Sequence, residues 1–234
     1  MKVKQAFQVS NLLFSWKKND RVTLDIPSLM VKQGESIFIQ GISGSGKSTL
    51  LNILSGVLTV QHGDITILDK PFSSLSHQSR DKIRANHIGY IFQQFNLLPY
   101  LSVIENVLLP LNISTARRQG RPRHSPSLIE EAKHFLTKLQ IPVNIFHEKV
   151  SQLSVGQQQR VAAARAMIGS PEIIIADEPT SALDKNNSEN FMDVLVSQCK
   201  KINSSLVFVS HDVHLCQYLD NNYTLDQSPG GVNK

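Results

Sequence analysis

Apolar and polar positions alternate in short runs at the start of the chain. FQVSNLLFSW and VTLDIPSLMV each carry period-two patterning, which predicts a pair of antiparallel strands. SIFIQG (36–41) is a compact apolar run that enters a glycine-rich loop, so it predicts a buried strand. KSTLLNILSG then changes to helical spacing and stops at Gly56. GDITIL (63–68) predicts a further strand, at a sheet edge. From about residue 95 to 159 the patterns are longer and helical, interrupted by a loop containing Pro, Arg and Ser, with no convincing strand. EIIIAD (172–177) and SLVFVSHD (205–212) return to buried-strand patterning. Both end in polar residues, at the strand ends where open α/β sheets bind ligands. The expected fold class is therefore α/β. A single unit spans 1–234: residues 1–94 and 160–234 form an α/β core with an antiparallel β subdomain, and 95–159 form an inserted helical subdomain. The tail DQSPGGVNK reads as a frayed terminus.

Composition narrows this picture. With 41% hydrophobic and 18% charged residues in 234, the chain has material for a sizeable core and reads as globular, not disordered. No run approaches the roughly 18 apolar residues of a membrane-spanning helix. The opening MKVKQAFQVSNLLFSW lacks the continuous apolar centre of a signal peptide. A cytosolic protein that reaches a membrane only through a partner is expected. Two isolated cysteines, Cys199 and Cys216, suit a reducing compartment. Much of the net charge of +5 sits in ARRQGRPRH (116–124). The plain expectation there is a solvated loop, and the functional one is contact with anionic lipid heads or an acidic partner. Nucleic acid is not expected, because no aromatic residues interleave with the cluster to stack on bases.

The chemistry begins at GISGSGKST (41–49), which fits the phosphate-binding loop G-x-x-x-x-G-K-[ST]. Gly41, Gly44 and Gly46 let the backbone approach an anion, and Ser43 and Ser45 complete the cradle. Lys47 supplies positive charge to β- and γ-phosphates, Ser48 suits a magnesium position, and Thr49 lies in the first helical turn, where free amides favour phosphate. Downstream, Asp177 and Glu178 follow four apolar residues. An acid at the end of a buried strand is costly unless it serves a cation. Asp177 is thus expected to hold Mg2+ through water, and Glu178 to orient or deprotonate the attacking water. His211, His214 and Cys216 form an H-x-x-H-x-C string, which is poor zinc spacing without a second ligand pair.

LSVGQQQR (153–160) followed by IIIADEPTSALD (173–184), behind that loop, resembles the ATP-binding cassette family, the ATPases of ABC transporters. The resemblance covers almost the whole chain. It implies an ATP- and Mg2+-dependent ATPase that acts as a homodimer, each ATP held between the phosphate loop of one subunit and the signature motif of the other. Ser154, Gly156 and Gln157 would act in trans, and Ser181, Ala182, Leu183 and Asp184 match the D-loop that crosses the dimer interface. Gln93 matches the glutamine that touches magnesium and water, with Gln94 as its alternative. His211 matches the switch histidine on the γ-phosphate. Trp16 falls where the family stacks an aromatic on adenine, with ordinary packing as the alternative. In one place the chain departs from the family: Val155 stands where the signature L-S-G-G-Q has glycine. A β-branched residue resists positive φ and adds bulk, which bears on hydrolysis rate more than on fold.

GISGSGKSTLLNILSG, FQQFNLLPYLSVIENVLLPL and SVGQQQRVAAARAM resemble the branch serving lipoprotein release, macrolide-type export and cell-division permeases. Amino-acid uptake ATPases share part of that wording. The implied partners are a second copy and integral-membrane permease subunits, on the cytoplasmic face of the inner or plasma membrane. The competing classes are a soluble cassette ATPase acting on DNA or ribosomes, and a nucleotide-binding module with little turnover.

Overall fold

The computed structural model describes residues 4–17 and 22–225. Nine strands form among them: β1 (Gln5–Phe14), β2 (Leu24–Lys32), β3 (Ser36–Gln40), β4 (His62–Ile67), β5 (Lys70–Pro71), β6 (Ile88–Ile91), β7 (Ile173–Asp177), β8 (Ser205–Val209) and β9 (Asn221–Thr224). The helices are α1 (Lys47–Leu54), α2 (His77–His87), α3 (Val103–Ile113), α4 (Pro126–Lys138), α5 (Val155–Met167) and α6 (Lys185–Lys201).

The alternating opening segments pair as expected. β1 and β2 run antiparallel with Val9 opposite Leu29, so Phe7, Val9 and Leu12 point inward while Gln8 points out. The resulting sheet has the order β2-β1-β4-β5. β4 was expected at an edge, but the two-residue strand β5 pairs outside it. The return between them uses Leu68 and Asp69, both at positive φ (51° and 60°). That hairpin escapes a sequence reading because its turn lacks the usual glycine.

The second sheet, β6-β7-β8-β3-β9, is parallel throughout. Parallel strands need crossovers and end up buried on both faces. One face, with Phe38, Ile174, Leu206 and Phe208, packs in the same cluster as α3, α4, α5 and α6. The other, with Ile37, Ile39, Ile175 and Val207, shares a core with α1 and the antiparallel sheet. This arrangement is the expected α/β core with a β subdomain and an inserted helical unit. α5 runs unbroken past residue 160 and lands on β6. The approach is tight: a Cβ on Gly89 would collide with the Ala166 carbonyl.

The basic stretch 116–124 is not a simple solvated loop. Arg117 is buried and donates to the Ala166 carbonyl at 2.9 Å. Arg121 pairs with Glu131 at 2.8 Å, and Glu131 also accepts from the Gly169 amide. Burial lowers the Arg117 guanidinium pKa to about 10, against the pull of Glu172 and Glu131. Arg123 and His124 remain exposed. Both cysteines are free thiols. No helix among the described residues is long and apolar enough to cross a membrane. The tail read as frayed, 226–234, lies outside the described residues.

Candidate functional site

β3 delivers the chain into the glycine loop, and the loop opens directly into α1. Gly46, at φ 95°, is the residue before that helix, and a Cβ there would strike the Leu24 side chain and crowd the Thr23 carbonyl. No side chain caps α1, so its first-turn N–H groups point into the loop without an intrahelical partner. The Ser45 hydroxyl is buried with no partner, and Thr49 is buried in the same turn. Orphaned donors around a concave loop suit an oxyanion such as phosphate. Lys47 folds back over the loop. Its Nζ donates to the carbonyls of Gly41 at 2.7 Å and Ile42 at 3.1 Å.

Asp177 and Glu178 stand at the end of β7. Burial pushes the Asp177 carboxyl above its usual pKa, and the neighbouring Glu178 charge pushes the same way, against a hydrogen bond from Ser48 and the charge of Lys47. A carboxyl held this way, with a hydroxyl beside it, is an oxygen donor set that suits Mg2+. Glu178 adopts φ 44°, a left-handed conformation costing a non-glycine residue about 1–2 kcal/mol. Its amide donates to the Val209 carbonyl at 2.9 Å, which ties the end of β7 to the end of β8. Its carboxylate lies 3.9 Å from Lys47 Nζ and 3.3 Å from His211 Nδ1.

Trp16, Lys47, Ser48, Thr49, Gln93 and Glu178 share one cavity of about 410 Å³, which Ser43, Gly44 and Gly46 also line. Gln94 is not part of that lining. Trp16 stays 59% exposed at the cavity and meets Phe14 edge-on, with centroids 5.4 Å apart. Thr23 also lines the cavity, and nothing in its local sequence marks it out.

Beyond Gln93 the backbone takes two consecutive left-handed residues, Phe95 (φ 59°) and Asn96 (φ 48°). The Arg165 guanidinium, on α5, donates Nη2 to the Phe95 carbonyl and Nη1 to the Asn96 carbonyl, the latter at 2.6 Å. Burial lowers its pKa to about 10. The sequence carried a hint of this residue, a lone arginine inside the buried alanine run VAAARAM.

The signature segment lies elsewhere in the chain. Ser154 caps α5 in a reciprocal capping box: its hydroxyl accepts from the Gln157 amide at 3.3 Å, and Gln157 Oε1 accepts from the Ser154 amide at 2.9 Å. Ser154, Gly156, Gln157 and Leu183 line a separate hollow of about 260 Å³, which shares no residue with the cavity at the glycine loop. Asp184 caps α6, accepting from the Asn187 amide at 2.9 Å, and these hydrogen bonds hold its carboxyl below the usual range. Val155 is the first helical residue of α5, is 49% exposed and is not at positive φ. The expected conflict between a β-branched residue and left-handed backbone is therefore absent, because position 155 is helical. What distinguishes it from glycine there is the bulk of a half-exposed side chain. His211 turns to Glu178. Among the described residues, no group of three or more His, Cys, Asp or Glu is placed to hold a metal.

A groove of about 480 Å³ opens beside β6. Tyr90 and Phe92 stack in it with centroids 4.3 Å apart, beside Leu109, Pro110 and the 77% exposed Ile113.

Residues 24–181 match the family model described as "ABC transporter". The chain is 39% identical over 192 residues to the uncharacterized ABC transporter ATP-binding protein YbbA of Escherichia coli, covering 82% of this chain and 81% of that one. It is 36% identical over 208 residues to the lipoprotein-releasing system ATP-binding protein LolD of Francisella tularensis, covering 89% and 87%. Among solved structures, the dimeric post-hydrolysis cassette MJ0796 bound to ADP and Pi, from Methanocaldococcus jannaschii, superposes with a TM-score of 0.84 at 34% identity. That match covers 95% of each chain.

Proposed function

Because the chain belongs to the ABC transporter family and is one of its ATP-hydrolysing subunits, we propose that two copies close around two ATP molecules and use their hydrolysis to drive a membrane permease. Each ATP is held by the loop 41–49 of one copy and by Ser154, Gly156 and Gln157 of the other. The observation that carries this reading is the convergence of Lys47, Ser48, Gln93 and Glu178 on one cavity, with Glu178 also in contact with His211. A separate signature hollow in the same chain fits a site completed by a second copy. The dimeric MJ0796 cassette supports the same assembly.

In this mechanism ATP displaces Lys47 from its loop carbonyls, and the ammonium takes the β- and γ-phosphate charge. The first-turn amides of α1 and the Ser45 hydroxyl donate to the remaining phosphate oxygens. Trp16 offers an aromatic surface to adenine without reading its edge. Ser48, Asp177 through water, and Gln93 are the residues that would hold Mg2+, which when bound neutralises developing phosphate charge. Glu178 orients the attacking water and takes its proton, and His211 fixes that carboxylate and reaches toward the γ-phosphate.

The permease is assigned to the lipoprotein-release and cell-division type, on the similarity to LolD, with the ATPase on the cytoplasmic side of the membrane. The groove beside Phe92 offers that permease an apolar seat adjoining β6, which ends two residues before Gln93. The test is size measurement of the Glu178→Gln variant with and without ATP. An ATP-dependent dimer is expected, and a protein that stays monomeric while binding ATP would overturn the reading.

A further inference from the structure

Gln93 reaches the nucleotide cavity from a segment whose conformation is not what its sequence prefers. Phe95 and Asn96 are both left-handed and neither is glycine, so local propensity pulls this turn toward other shapes. Within the turn, the Phe95 amide donates to the Phe92 carbonyl and the Asn96 amide to the Gln94 carbonyl. Phe95 buries its ring in the helical core, and one polar side chain fixes the carbonyls of the turn. Arg165 donates separate guanidinium nitrogens to the carbonyls of Phe95 and Asn96. A planar fork can satisfy two carbonyls at once and fixes their mutual orientation, which a point charge cannot.

Arg165 is itself firmly placed. The next residue, Ala166, is pressed against Gly89 of β6 and accepts from buried Arg117 through its carbonyl. Arg165 also lies on α5, the helix that Ser154 caps, about 16 Å along its axis from that cap. Its far side lines the groove that holds Phe92. One residue thus joins three things: its guanidinium holds the turn after Gln93, its backbone belongs to the helix of the signature segment, and it lines the outer groove.

We propose that Arg165 is a positioning residue for ATP hydrolysis: it sets where Gln93 stands in the nucleotide cavity by clamping the left-handed Phe95–Asn96 turn to the signature helix. A tilt of α5 when the second copy closes, or a load on the groove, is then transmitted to Gln93 through two hydrogen bonds. This rests on the proposed role of Gln93, and the test separates the two.

Arg165→Lys keeps the charge but not the fork. Three measurements on the full chain decide the matter. Amide exchange of the peptide spanning 92–97 is expected to speed up about tenfold while β7 stays protected. Turnover is expected to fall roughly ten- to a hundredfold with KM for ATP nearly constant, the signature of misplacement and not of lost binding. In a Gln93→Ala background the same substitution should change turnover less than about twofold, because the residue through which it acts is gone. Unchanged exchange at 92–97, or an equal loss in both backgrounds, overturns the proposal. If Gln93→Ala alone leaves turnover intact, the role of Gln93 falls, while the exchange result still decides whether Arg165 holds the turn. Arg165→Gln provides a second variant. General loss of protection across the chain in both variants would mark a structural residue and reject a positioning role.

Discussion

Lys47 Nζ and Glu178 Oε1 stand 3.9 Å apart, each partly shielded from solvent. The lysine meanwhile donates to the carbonyls of Gly41 and Ile42, and the glutamate reaches His211 on its other oxygen. The cation that would hold phosphate and the carboxylate that would activate water thus face one another across the cavity.

Substituting either partner should separate binding from chemistry. Glu178→Gln is expected to lower turnover by about a hundredfold or more, since it removes the general base, while ATP affinity holds. Lys47→Ala is expected to weaken ATP binding itself, losing a charge-assisted contact. Titrating each variant with ATP and following the fluorescence of Trp16, the single tryptophan, checks both outcomes. Wild-type turnover in Glu178→Gln would refute the assigned base.

Ser154 has a local role that can be measured apart from its proposed role in trans. Ser154→Ala removes the cap of α5 and should cost about 1 kcal/mol of stability. To isolate the role in trans, Lys47→Ala subunits are mixed with Ser154→Arg subunits. Their heterodimers carry one doubly damaged site and one intact site, so partial recovery of ATPase activity is expected. Heterodimers that form but stay inactive would show that the site is not shared.

Val155→Gly should lower the thermal midpoint, because glycine in a helix costs up to about 1 kcal/mol relative to alanine. Since position 155 is helical and exposed, any gain in turnover would come from lost bulk and not from relieved backbone strain. Val155→Ala should then raise turnover as much as Val155→Gly does. A gain confined to the glycine variant would restore the backbone explanation.

Asp177 sets a pH dependence whose sign follows from its raised pKa. A carboxyl that binds its proton more tightly in the folded state destabilises the fold when ionised, at neutral pH. That cost fades as pH falls through the folded pKa. Nucleotide-free Asp177→Asn is therefore expected to melt above wild type at pH 7, with the gap narrowing toward pH 4. Melting curves across that range check it, and a gap that widens on acidification would reverse the assignment.

Much of the candidate site was legible before any coordinates. The loop 41–49 needs glycines at fixed intervals, and buried strands that end in Asp177 and just before His211 advertise polar groups where a core should continue. The two strands that open the chain were readable because one face is buried and the pattern has period two. α2 was not, since Arg80 is its single buried residue and no apolar stripe betrays it. α6 does carry a stripe, through Phe191, Leu195 and Cys199, but it lies among polar residues that mask it.

The sequence by itself determined the α/β class, the phosphate loop, the acidic pair and the signature wording, because each depends on residues close together in the chain. Tertiary structure decided what depends on residues far apart. It seated the basic stretch against α4 and α5 through Arg117 and Arg121, where charge alone pointed to solvent. It made position 155 helical, so that valine causes no backbone conflict there. It brought Arg165 to the carbonyls of Phe95 and Asn96 across some seventy positions of chain. Local patterns report the period of burial and the chemistry of a side chain, whereas the partner of a buried cation is chosen by how helices and sheets pack.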